Sequence, residues 1–123
     1  MVDLNRTGRV IVLRFLAPYV ESDERAYLDA LIAIGEAPAP FALITVFGGG
    51  RKLSAAGERE QALWFKATRA RMNASCAALA IVRPNPAPKM VAAFRKLWSF
   101  PIEVFANEEA ARRFLAHSIG VPA

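Results

Sequence analysis

Along the chain, the hydrophobic positions switch repeatedly between an extended and a helical rhythm. Val2–Leu4 is a short apolar piece, Asn5-Arg6-Thr7-Gly8 has turn chemistry, and Arg9–Leu16 is a β-branched, mostly apolar run closed by Pro18. Two extended runs joined so tightly predict an antiparallel hairpin. Ser22 is placed to cap a first helix, with Asp23 and Glu24 in the turn where the helix dipole favours negative charge. Tyr27, Leu28, Leu31 and Ile32 recur at helical spacing until Gly35 and Pro38 end the segment. Phe41–Phe47 is unbroken apolar sequence with several β-branched members, the composition of a strand buried on both faces.

After Gly48-Gly49-Gly50, a second helix is predicted from about Ser54 to Met72, followed by a second buried strand over Ala77–Val82. Pro84, Pro86 and Pro88 mark a stiff loop, with Asn85 the expected cap and Pro86 in the first turn of a third helix that carries Met90, Phe94, Leu97 and Trp98. Ile102–Phe105 is a short last strand. Asn107 caps a fourth helix, Glu108 and Glu109 fill its first turn, Phe114 and Leu115 face inward, and Gly120 stops it.

The order is β-β-α-β-α-β-α-β-α. Strands alternating with helices imply an α/β fold with a mixed, mostly parallel five-stranded sheet, an N-terminal antiparallel hairpin and about four helices. At 123 residues the chain makes one domain, 1–123.

The phase of the second helix decides what it presents. Ala56, Leu63, Ala67 and Ala70 share one side and are expected to face the sheet. Phe65 and Met72 then project outward among Lys66, Thr68 and Arg69, with Trp64 at the flank. Large apolar groups among cations suit a partner helix or insertion into an anionic lipid interface. The alternative is a helix turned about its axis, with Phe65 and Met72 in the core.

Charge sharpens this picture. The net charge of +5 is concentrated in residues 51–96, where ten basic side chains face only Glu58 and Glu60. Such segregation draws in anions, anionic lipid or an acidic partner. Gly49, Gly50, Arg51, Lys52 and Ser54 follow a buried strand and open a helix, a layout in which backbone N–H groups and cations converge on an anion. The run does not match the phosphate-loop or dinucleotide patterns, and a triple glycine also serves as a plain flexible turn.

Other chemistry finds little material. There is one His, His117 in the last turn of the last helix, and one Cys, Cys76, expected as a small buried hydrophobe. One His and one Cys do not assemble the usual N/S metal set, and Glu58 and Glu60 point apart on their helix. No catalytic residue, metal or cofactor is expected, and the chain is read as non-enzymatic. The basic segment lacks helix-turn-helix spacing, a zinc pattern or an aromatic-basic RNA signature, so nucleic acid is not an expected partner. The N-terminal residues lack the layout of a secretory signal, which points to the cytoplasm.

The stretch Pro101-Ile102-Glu103-Val104-Phe105-Ala106-Asn107-Glu108-Glu109-Ala110-Ala111-Arg112-Arg113-Phe114-Leu115, with the Ala/Val-rich strand Ala77–Val82, resembles the ending of SpoIIAA-like stand-alone bacterial proteins, a group akin to the STAS domains of anti-sigma-factor antagonists. The resemblance implies a SpoIIAA/STAS-like domain with one of two roles. In STAS antagonists a Ser opening the second helix, within an Asp-Ser-Ser-Gly-type motif, is phosphorylated to switch partner binding. Here Leu53-Ser54-Ala55-Ala56-Gly57 stands in that place, with Ser54 the one matching hydroxyl, the Asp missing and the Gly displaced. The SpoIIAA-like group itself resembles lipid-carrier folds and implies a small hydrophobic or lipid ligand, or a membrane surface. The expectation is a homodimeric binding protein engaging such a ligand, the inner membrane face or a protein partner.

Overall fold

The computed structural model describes residues 1–48, 53–86 and 91–119. Its elements are β1 (Val2–Thr7), β2 (Val10–Phe15), α1 (Asp23–Gly35), β3 (Phe41–Phe47), α2 (Ala55–Ser75), β4 (Cys76–Val82), α3 (Ala92–Leu97), β5 (Ile102–Phe105) and α4 (Glu108–Ile119). The strands form one five-stranded sheet in the order β1-β2-β3-β4-β5. β1 pairs antiparallel with β2, and all other pairings are parallel. The α/β class and the mixed sheet are therefore those that the hydrophobic rhythm implies.

Sequential strand order has a geometric consequence. Right-handed crossovers between neighbouring parallel strands, all progressing the same way, put their helices on one face. Among the described residues the chain never reverses direction across the sheet, so they form no topological switch point, where open α/β sheets place their ligand crevice. Odd-numbered positions of β2 and β3 (Ile11, Leu13, Phe15, Phe41, Leu43) join Leu79, Ile81 and Ile102 under α1, Met72 of α2, Val91 and Trp98. The alternate positions, including Val12, Ala42, Ile44, Ala78 and Ala80, pack beneath Ala111 and Leu115 of α4. Period-two alternation thus feeds two cores at once, which is why β3 and β4 read as continuously apolar.

Several local expectations shift. The hairpin turn is Gly8-Arg9, with Thr7 opposite Val10, so Asn5, Arg6 and Thr7 belong to β1. Gly8 has φ +60°, which a two-residue turn needs at its first central position, and an edge strand tolerates the polar residues before it. Ser22 makes no side-chain cap bond; the backbone N–H of Val20 donates instead to Oδ2 of the buried Asp23 at 2.8 Å. Asn85 has a left-handed φ of +52° and α3 begins only at Ala92, so neither Asn85 nor Pro86 opens that helix. Met90 and Gly120 lie outside the described residues. Asn107 caps α4 as expected, its Oδ1 accepting from the N–H of Ala110 at 2.8 Å. Arg14 of β2 reaches α4 through Glu108, donating from Nε at 3.1 Å and from Nη2 at 2.6 Å, a two-pronged pair that fastens the second layer.

Candidate functional site

The entrance to α2 is built around one serine and one carboxylate. Ser54 caps the helix, accepting from the N–H of Gly57 at 3.0 Å. Its own N–H donates to Glu24 Oε1 at 2.5 Å and its hydroxyl to Glu24 Oε2 at 2.8 Å. Gly57 leaves room for this approach, since a Cβ there would stand 2.7 Å from the Glu24 carboxylate. Glu24 of α1 therefore holds the place that an anion would take at the start of α2, and the helix dipole is already answered within the chain. Gly49, Gly50, Arg51 and Lys52, the other members of the expected anion site, lie outside the described residues.

The face of α2 is turned relative to the sequence expectation. Met72, expected in solvent, is only 1% exposed and belongs to the main core. Phe65 is half-buried against the same core, edge-on to Phe94 and Trp98 at ring separations of 6.0 and 5.4 Å. Trp64 is half-buried too, edge-on to Phe65 at 5.3 Å, and its indole lies 3.0 Å from where a Cβ on Gly35 would stand. Only Arg69 of the four proposed face residues is exposed, with Nη2 donating to the carbonyl of Lys96 at 3.4 Å. The outward membrane face built on Phe65 and Met72 is overturned. The physical reason is size. Phe, Trp and Met each remove far more apolar area from water than Ala, so the helix turns its bulky side inward.

The side expected to meet the sheet consequently meets water. Leu63 is 61% exposed, and Ala56, Ala67 and Ala70 are exposed with it. Ile32 of α1, expected among the packed positions, is 44% exposed. Between α1 and α2 runs an open groove of about 270 Å³, lined by Leu28, Leu31, Ile32, Glu60, Leu63, Trp64 and Ala67. Arg25 stands at one end, paired with Glu60 from Nη1 at 2.9 Å and with Asp29 from Nε at 2.9 Å. Hydrogen bonding to Glu60 raises the pKa of Arg25, and the same contact lowers that of Glu60. This groove was missed in the sequence because Leu63 and Ala67 fit a core-facing stripe. The available signal was a helix apolar on two sides, one side bulky and the other small.

The remaining chemistry is quiet. Cys76 is buried, its thiol pushed up to about 12 chiefly by desolvation, so it stays protonated at neutral pH. His117 is exposed in the last turn of α4. Among the described residues no group of three or more His, Cys, Asp or Glu could hold a metal ion, and no helix is long and apolar enough to cross a membrane. Comparison with family models, with curated proteins and with solved structures returned no match.

Proposed function

We propose that the chain is a non-enzymatic, SpoIIAA-like binding protein that docks a protein partner on the groove between α1 and α2. The observation that carries this reading is the pair of exposed large apolar side chains, Ile32 and Leu63, flanking an apolar groove on a helical surface of charged and small side chains. An unpartnered apolar patch of this kind is a feature of interaction sites. A shallow, open groove suits a helix or another protein surface better than a small lipid, which needs a site that encloses most of it. The membrane alternative loses its anchor with Met72 in the core.

A photo-cross-linking amino acid in place of Leu63, introduced in cells, tests the assignment. A discrete protein adduct is expected from that position and none from Arg113, an exposed position on α4 across the sheet. Adding Ile32→Asp should abolish the adduct. Equal labelling from both positions, or none from Leu63, overturns the reading.

One observation favours a second role for the same layer. The Ser54 hydroxyl is exposed and bonded to Glu24, so a phosphate on Ser54 would set two anions against each other and part the start of α2 from α1. This is the STAS-type switch. Stoichiometric phosphate on Ser54, read by intact mass after incubation with cell-extract kinases, would put it ahead of constitutive docking. An unmodified mass would dismiss it.

A further inference from the structure

We propose that the partner on this groove is a second copy of the chain, related by a two-fold axis running along the helices, so that α1 of each copy lies on α2 of the other. The inference rests on the docking assignment above and names its occupant.

The argument begins with how the two helices lie side by side. Arg25 pairs with Glu60, and Arg71 donates to the Glu36 carbonyl at 3.1 Å; both contacts join residues 35 positions apart. The helices therefore run in the same direction, as crossovers between neighbouring parallel strands require. The Tyr27–Gln61 and Gly35–Thr68 contacts likewise place a residue of α1 roughly level with the one 33 to 35 positions later on α2. Their exposed ridges differ in the sign of their net charge. On α1, Asp29 and Glu36 lie outward against Arg25, which pairs with Asp29; on α2, Arg59, Lys66, Arg69 and Arg71 outnumber Glu58 and Glu60, with Ile32 and Leu63 between the two ridges.

A two-fold axis along the helices moves no residue up or down, so each residue meets whatever lies level with it on the other helix of the second copy. With that offset, Lys66 of one copy falls between Asp29 and Glu36 of the other, and this contact occurs twice. Leu63 of one copy falls two to four residues, about one turn, from the level of Ile32 of the other. An axis across the helices would instead set α1 on α1 and α2 on α2, like charge on like.

The remaining occupants fit less well. An anionic membrane would meet the carboxylates of α1 as readily as the cations of α2. The small side chains of Ala56, Ala67 and Ala70 let a facing helix approach closely. At about 1.5 Å per residue and about 10 Å of width, the 21-residue α2 beside the 13-residue α1 offers a footprint of roughly 500 Å² per partner before side-chain relief is counted, or about 1,000 Å² in total, the lower end of specific interfaces.

Sedimentation equilibrium of the purified chain should show a dimer. D29K and K66E chains, each alone, should dimerise more weakly by at least about tenfold, because each sets like charges together twice. Mixing the two variants should restore a dimer containing one chain of each, since every altered contact is then complementary. Both positions are exposed, and circular dichroism of each variant checks that the fold is intact. Leu63→Asp should leave only monomer.

A wild-type chain that stays monomeric overturns the second-copy assignment. So does a dimer indifferent to Leu63→Asp, or a mixture no tighter than its components. A monomeric wild type that still cross-links another protein through Leu63 leaves the docking assignment standing. A monomer without any such adduct removes both.

Discussion

On its inner side α2 brings Trp64, Phe65 and Met72 against the sheet and α3; on its outer side it holds Ala56, Leu63, Ala67 and Ala70 in solvent. Both sides are apolar by residue type, and they differ in bulk. Inside, the rings of Trp64, Phe65, Phe94, Trp98 and Phe100 form a connected cluster of edge-on and stacked contacts. Outside, one leucine rises from a bed of alanines. The comparison shows that the orientation of a helix with two apolar sides follows the area each side can remove from water. The side left over is a candidate for intermolecular burial.

The sharpest way to break this comparison is to truncate one residue on each side. Met72→Ala should lower the unfolding free energy by about 3 kcal/mol through lost burial and the cavity left behind. Leu63→Ala should cost the isolated fold under about 0.5 kcal/mol. Urea denaturation of both variants under monomeric conditions checks this, and equal losses would mean that the two sides are not distinguished as described.

Alkaline titration sharpens the inner side further. Burial pushes the Tyr27 phenol up to about 12, and its hydroxyl donates to Gln61 of α2 at 2.6 Å. The folded state thus favours the neutral phenol. Its stabilisation is complete below the unfolded value near pH 10 and is lost as pH rises through about 12, up to about 3 kcal/mol in all. Tyr27→Phe should flatten that part of the stability–pH curve, and a curve unchanged by the substitution would contradict the assignment.

Smaller effects belong to the ends of the helices. Glu24→Ala removes the acceptor for both the N–H and the hydroxyl of Ser54 and should cost about 1 kcal/mol, read as a lower melting temperature. Least of all is the Arg14–Glu108 pair. Hydrogen bonding to Arg14 lowers the Glu108 pKa, so its contribution is present above the usual carboxylate range and is lost as acid carries the pH down through the folded value. Glu108→Gln should remove that loss, worth under about 1 kcal/mol because both side chains are partly exposed.

Legibility in the sequence tracked how local each decision was. The bounds of β3 and the cap at Asn107 depend on neighbouring residues and could be read directly. Ser22 and Asn85 carry the same cap chemistry, yet neither caps a helix, because Asp23 and a left-handed backbone take those positions over. The α1–α2 groove could not be read at all. Its floor comes from two helices brought together by crossovers, and the Ala/Leu stripe of α2 has the same period as a buried one.

By itself the sequence determined the kinds of element, their order and the mixed, mostly parallel sheet, since a hydrophobic period and short-range turn chemistry suffice for these. Tertiary structure alone decided the rotation of α2, the closing of its N-terminus by Glu24, and hence which apolar residues reach water. Those outcomes depend on competition between two faces of one helix for a single sheet, and on a carboxylate 30 positions away in sequence, neither of which leaves a local pattern.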